Sequence, residues 1–179
     1  MRTVIISAVW FAVAAVPGMA QPQQHGDAQS PPASVYAGQE KRDVKALSEQ
    51  EQHAWLEGQG MGLARAAELN GYPGPMHVLE LADPLRLTPA QTVTTRELMN
   101  RHKVEVRKLG AQLVETERHL DGAFRERRVS DAGIEHMTGE IGELQARIRA
   151  SHLQTHLAQT ALLTPEQVAE YSRLRGYGR

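Results

Sequence analysis

Apolar residues in the second half of the chain recur alternately three and four positions apart, which is the spacing of a heptad seam. The pattern runs through residues 99–124, stops at the charged stretch 127–130 and resumes over residues 134–162. The first run contains Met99, Val106, Leu109, Leu113, Leu120 and Phe124, with His102 and Thr116 in register. The second contains Ile134, Met137, Ile141, Leu144, Ile148, Thr155, Ala158 and Leu162. The spacing predicts two long antiparallel helices over residues 88–127 and 131–160, about 60 Å and 45 Å long at 1.5 Å per residue.

The same helix start occurs twice, as Leu-Thr-Pro-Ala-Gln at 87–91 and Leu-Thr-Pro-Glu-Gln at 163–167. In each copy the threonine suits the N-cap and the proline suits the first helical position. The glutamine three residues after the cap can bond back to it. The first copy therefore opens the long hairpin, and the second opens a short terminal helix over residues 165–175. Ser130 is the expected N-cap of the second long helix.

Shorter helices are expected ahead of the hairpin. Residues 37–57 carry a few apolar positions among many charges, with Ser48 as a cap, and residues 63–69 are rich in alanine and end at an Asn-Gly pair. Residues 76–82 predict a further turn or helix before Pro84. Strand-like alternation is absent from the sequence. We therefore predict an all-α fold, an elongated antiparallel helical hairpin with flanking short helices.

The first twenty residues have the zones of a secretory signal. Arg2 precedes an apolar run over residues 4–16, and small residues lead to Ala20, after which we expect cleavage. Residues 21–36 are rich in Gln, Pro, Ser and Gly, which predicts a disordered tether before a helical domain over residues 37–178. We expect an exported protein, with an uncleaved anchor as the alternative.

The composition narrows the classes of function. The chain has no cysteine and a formal net charge of −1, and a balance without basic surplus argues against a nucleic-acid binder. It lacks a phosphate-binding glycine loop and the common nucleophile motifs, so we do not expect an enzyme. Two thin helices bury too little apolar surface to offset their conformational entropy. We therefore expect flanking helices, a second copy of the chain, or both to cover the hairpin.

The repeated Leu-Thr-x-x-Gln motif, the export signal and the two long helices together resemble the Spy/CpxP-like family of periplasmic stress proteins. This resemblance implies a periplasmic, cradle-shaped homodimer. Characterised members are ATP-independent chaperones and signalling adaptors, or metal-responsive proteins such as zinc-resistance-associated proteins and nickel or cobalt sensors. The resemblance implies the architecture more firmly than the function.

His152 and His156 are four residues apart on a predicted helix, so their imidazoles lie one above the other and can share one divalent ion. The alternative is an ordinary polar flank of the helix. The resemblance implies ligands just before the second motif and a histidine ahead of the first, where His77 lies. We therefore predict a candidate site for zinc, copper or nickel at these three histidines, with Glu97 as a loose match for a carboxylate ligand and no required cofactor. His102 falls on the seam, where a hydrogen-bonded core histidine or a cross-dimer partner is expected.

Basic residues outnumber acidic ones, nine to six, over residues 88–128. Such a helix is usually a solvated face, but cations beside apolar side chains can also steer and hold partly unfolded envelope proteins without ATP. The predicted client-binding residues are Arg96, Met99, Lys103, Val106, Arg107 and Leu113. A chaperone is the first hypothesis for this sequence, a metal sensor or resistance protein is the second, and an adaptor for a sensor kinase ectodomain is the third.

Overall fold

The computed structural model describes residues 33–177, and this part of the chain is helical and contains no strand. A 3-10 turn at Gln39–Lys41 precedes six α-helices: α1 (Glu49–Leu56), α2 (Arg65–Glu68), α3 (Pro75–Glu80), α4 (Pro89–Arg125), α5 (Asp131–Ala161) and α6 (Pro165–Leu174). The predicted all-α fold is confirmed. The predicted signal peptide and residues 21–32 of the predicted tether lie outside the described residues. Between residues 33 and 177, no helix combines the length and apolar character that crossing a membrane requires.

The long helices α4 and α5 form the predicted hairpin, and their ends fall within two residues of the predicted ones. At 1.5 Å per residue they are about 55 Å and 46 Å long. Arg127 has a φ of 55°, in the left-handed region, and this lets the chain reverse directly after α4. Ser130 then caps α5 by accepting a hydrogen bond from the backbone N–H of Gly133 at 3.2 Å.

The central core lies along the seam between α4 and α5. Its buried members are Val106, Leu109, Leu113, Ile141, Leu144 and Ile148. Two predicted seam positions are wrong. Phe124 is 54% exposed, because it lies beyond the part of the hairpin that the flanking helices cover. Ala158 is exposed and Gln159 is buried in its place, because an α-helix of 3.6 residues per turn drifts away from a strict heptad repeat.

Short flanking helices cover the two ends of this core. α1 packs on α4 so closely that a Cβ on Gly110 would lie 2.0 Å from the carbonyl oxygen of Trp55. The segment ahead of α1 places Val44 and Leu47 against Val114. At the other end, α3 and α6 meet around Val78, Leu85 and Tyr171. Because any side chain at position 110 would meet the backbone of α1, Gly110 is required for α1 to pack this closely on α4.

The two copies of the helix-start motif bond to each other. Each forms the predicted capping box, with Gln91 accepting from the N–H of Thr88 and Gln167 from that of Thr164. The same two amides also exchange hydrogen bonds at 2.8 and 3.1 Å. Gln91 donates in addition to the carbonyl of Leu162, and Gln167 to that of Leu85. The paired motifs thus tie the start of α4 to the turn between α5 and α6.

Candidate functional site

A cavity of about 730 Å³ lies between α4, α5 and the segment of residues 57–77. All three histidines predicted as metal ligands line it, together with His102. They come from three helices: His77 from α3, His102 from α4, and His152 and His156 from α5. The remaining side chains that define it include Glu57, Met61, Arg65, Glu68, Leu69, Met76, Met99, Lys103, Thr155 and Tyr177.

His102 and His152 form a hydrogen-bonded pair across the hairpin. Nε2 of His102 lies 3.0 Å from Nδ1 of His152, and Nδ1 of His102 lies 3.0 Å from the hydroxyl of Ser151. His152 is 6% exposed, and its Nε2 is buried without a hydrogen-bond partner. Burial, with His102 and His156 nearby, lowers the pKa of His152 to about 4, and burial also lowers the pKa of His102. Both imidazoles are therefore neutral at neutral pH and carry lone pairs.

His156 and His77 each use Nδ1 to hold the ring in place. Nδ1–H of His156 donates to the carbonyl oxygen of Tyr72 at 2.8 Å, and Nδ1 of His77 bonds to a carboxylate oxygen of Glu80 at 2.8 Å. A proton fixed on Nδ1 places the lone pair of a neutral imidazole on Nε2. Histidines that bind metal ions commonly have this arrangement, with the second ring nitrogen bonded to a carbonyl or carboxylate.

The backbone at Gly74 lies close to the ring of His156. Gly74 is buried at the start of α3, and a Cβ there would lie 2.7 Å from Cε1 of His156. The glycine therefore lets the segment before α3 lie directly against the ring of His156. Sequence spacing alone gives no sign of this contact, because the two residues are far apart in the chain.

A half-buried carboxylate, that of Glu68, closes the side of the cavity next to α6. Glu68 accepts hydrogen bonds from the hydroxyls of Tyr171 and Tyr177, and its other oxygen lies 3.5 Å from Nδ1 of His156. Arg175 adds a cation 3.8 Å away. Burial, and the Glu68 carboxylate beside it, raise the pKa of Tyr171. This cluster ties α2 to α6 and places Glu68 beside His156.

The predicted client-binding face is wrong at Val106 and Leu113. Val106 is 1% exposed and Leu113 is 0% exposed, because both point into the seam against α5 and cannot touch a client in this fold. Arg107 is exposed and forms an ion pair with Glu57. The other three predicted residues do not lie in the core: Arg96 and Lys103 are exposed and Met99 is half-buried.

As the side chains stand, no group of three or more His, Asp or Glu residues between positions 33 and 177 could hold one ion. Each imidazole is turned toward its own hydrogen-bond partner. Glu97, the loose carboxylate candidate, is exposed and does not line the cavity. No protein-family model, curated protein or solved structure matches the chain.

Two features of the cavity were not predicted from sequence. The first is the direct pairing of His102 with His152, although His102 was placed on the seam that faces α5. The second is the methionine lining: Met99 lies three residues before His102 on the same helix face, which was a usable signal. Met61 and Met76 gave none, because their place depends on how residues 57–77 fold back over the hairpin.

Proposed function

We propose that this protein is an exported, Spy/CpxP-like stress protein that binds a transition-metal ion in the histidine-lined cavity and responds to it. One observation carries the proposal. Four histidines from three helices line a single cavity, and the buried Nε2 of His152 has no hydrogen-bond partner there. The periplasm is the proposed location, from the predicted signal peptide and the family resemblance.

The geometry around the histidines supports ligand chemistry. Nδ1 of His152 bonds to Nε2 of His102 at 3.0 Å, and Nε2 of His152 has no hydrogen-bond partner. When Nδ1 of a neutral imidazole carries the proton, Nε2 carries the lone pair and can bind an ion. His156 lies one turn from His152 on α5, with its Nδ1 already bonded to an oxygen.

Metal binding can be tested with purified protein freed of metal by chelation. Calorimetry and thermal unfolding with zinc, nickel or copper should show heat and a raised Tm, since an ion at 100 times its Kd stabilises a fold by about 2.7 kcal/mol. His152→Gln and His156→Gln should lose most of the effect. The control His136→Gln changes an exposed histidine that does not line the cavity and should keep it. If none of the three metals gives heat or a shift, the proposal is wrong.

A second candidate is ATP-independent holding of partly unfolded envelope proteins. What favours it is a group of exposed apolar side chains that line the cavity, Met61, Leu69 and Met76, together with the exposed cation Lys103 of the same lining. An apolar patch with a charged rim is typical of a protein-binding surface. This surface replaces the predicted one, in which Val106 and Leu113 are buried.

Holding activity would appear as suppression of aggregation of an unfolding client at stoichiometric amounts. Leu69→Ser with Met76→Ser should weaken it, whereas Phe124→Ser, an exposed apolar position on α4 that does not line the cavity, should not. If Lys103 and Arg96 attract acidic clients, salt should screen this attraction, and aggregation should be suppressed less as ionic strength rises. Unchanged aggregation in the presence of the protein, whatever the client, would exclude this candidate.

A homodimer is part of the proposal. Val93 and Val104 on α4 and Leu157 on α5 are exposed apolar residues on the long helices, and a second copy would cover them. Sedimentation of the purified chain tests this directly. A specific partner such as a sensor kinase ectodomain stays a prediction from the resemblance.

A further inference from the structure

Methionine is concentrated around the cavity. Four methionines fall within residues 33–177, namely Met61, Met76, Met99 and Met137, and all but Met137 line the cavity. They come from separate places: the turn after α1, the first turn of α3, and α4. A purely apolar lining would not need methionine, since leucine is the commoner core residue.

The methionine thioethers and the neutral imidazoles that line the cavity are uncharged metal ligands. Thioether sulfur is a soft ligand and imidazole nitrogen is a borderline one. Thioether sulfur is polarisable and favours soft ions such as Cu(I), while zinc sites use thiolate, imidazole and carboxylate. The chain has no cysteine. Thioether sulfur is therefore the only sulfur ligand that this protein can offer.

The charges around the cavity also favour an ion of low charge. Of the two carboxylates that line it, Glu57 forms an ion pair with Arg107. One oxygen of Glu68 accepts from Tyr171 and lies 3.8 Å from the Arg175 guanidinium, and its other oxygen has no hydrogen-bond partner. Arg65 and Lys103 add positive charge to the lining. The cost of moving an ion out of water rises with the square of its charge, so a site of neutral ligands near two cations penalises a divalent ion far more than a monovalent one.

We propose that the cavity binds a soft monovalent cation, Cu(I), through the thioethers of Met61, Met76 and Met99 together with the imidazole of His152. The independent observation is His152 itself, which is more than nine-tenths buried, lines the cavity and has an Nε2 without a partner. Met99 and His102 lie one turn apart on α4, and His102 holds His152 in place. The inference rests on the proposed function, since it names the ion that the same cavity prefers.

The structure explains why sulfur can complete the site. Three histidines are engaged by Ser151, Tyr72 and Glu80 through Nδ1, and no three His, Asp or Glu side chains of the described chain converge on one point. Methionine has three rotatable side-chain bonds and adapts to an ion without backbone movement. Met61 and Met76 are exposed, so both side chains have room to turn inward.

The test uses the purified protein under anaerobic conditions and Cu(I) presented as its bicinchoninate complex. The protein should withdraw Cu(I) from the chelator at one ion per chain. The triple variant Met61→Leu, Met76→Leu, Met99→Leu should bind Cu(I) at least about tenfold more weakly, because even outer-shell changes at metal sites cost tenfold or more. The matched control Met137→Leu removes the methionine that does not line the cavity and should bind like the wild type. Leucine conserves volume, so both variants should fold, which circular dichroism verifies.

X-ray absorption at the copper edge gives a second readout that does not depend on the variants. Because the chain has no cysteine, sulfur scattering around bound Cu(I) must come from methionine. A copper shell of nitrogen and oxygen alone, or equal Cu(I) affinity for the triple variant and the wild type, would overturn the inference. Zinc binding separates the two proposals: if zinc or nickel binds through the histidines while the methionine variants leave Cu(I) affinity unchanged, the metal-binding function stands and the preference for Cu(I) does not.

Discussion

Acidification should destabilise the fold through His152. Burial lowers the pKa of this imidazole from 6.5 to about 4. Between these two values the unfolded chain binds a proton that the folded chain refuses, so the free energy of unfolding falls as the pH falls. The stabilising contribution is complete above pH 6.5 and is lost as the pH drops toward 4. The interval of about 2.5 pH units, at about 1.36 kcal/mol each, gives a loss of about 3 kcal/mol.

Neighbouring groups change this figure without changing its sign. The pKa of His102 is also lowered by burial, with the same consequence. Burial raises the pKa of Glu117, which acts in the opposite direction and offsets part of the loss. Acidic side chains with lowered pKa values, such as Glu51, lose their contribution only below about pH 4.5. Measurements between pH 7 and pH 4.5 therefore report mainly on the buried histidines.

Urea denaturation at intervals across this range, with chelator present to remove metal ions, measures the effect. The wild type should lose about 2 to 3 kcal/mol between pH 7 and pH 4.5. His152→Leu removes the larger of the two histidine contributions and should make the profile shallower, whereas His136→Gln, at an exposed position, should keep the wild-type slope. A wild-type profile that is flat over this range, or one that His152→Leu leaves unchanged, would refute the assignment of a buried, neutral His152.

Three further predictions concern stability at neutral pH. Gly110→Ala should destabilise the fold by about 1 to 3 kcal/mol because its Cβ would meet a backbone oxygen of α1 at 2.0 Å, while Gly142→Ala, which has open space around it, should stabilise α5 by up to about 1 kcal/mol; urea denaturation should show opposite signs. Gln91→Ala and Gln167→Ala should not be additive, with a coupling energy of about 0.5 to 3 kcal/mol in a double-mutant cycle, and strict additivity would contradict their mutual hydrogen bonds. Tyr171→Phe should cost about 1 to 3 kcal/mol by removing a hydrogen bond from the buried Tyr171 hydroxyl to the half-buried Glu68 carboxylate, measured by the same method.

Local signals predicted the helices well. Caps and helix starts are short-range patterns, so Ser48, Thr88, Ser130 and Thr164 were all recognised as N-caps from neighbouring residues, and each accepts the expected hydrogen bond. The seam was predicted in its central part, where the two long helices pack directly. It failed at Phe124, because periodicity does not say where covering helices end.

The surroundings of the cavity could not be predicted from local sequence patterns. His152 and His156 could be selected because four-residue spacing is visible in the sequence. Their surroundings depend on residues 57–77, a segment of turns and short helices whose path over the hairpin no periodicity encodes. The prediction that Val106 and Leu113 bind a client was wrong for a related reason. Val106 and Leu113 have the spacing of seam residues. Side chains that pack in the seam between α4 and α5 cannot also form an exposed surface.

The repeated motif joins these two parts of the molecule. Its glutamines cap their own helices, which sequence predicts, and also bond to each other across 76 residues, which it does not. This second contact fixes the α5–α6 turn against the start of α4, and the buried pair of Gln159 and Thr95 continues the contact along the hairpin. His152 lies two helical turns before Gln159 on α5, since each turn takes 3.6 residues. The position of His152 opposite His102 thus depends on the register that the paired motifs set, and a change that loosens Gln91 or Gln167 should weaken metal binding even though neither residue lines the cavity.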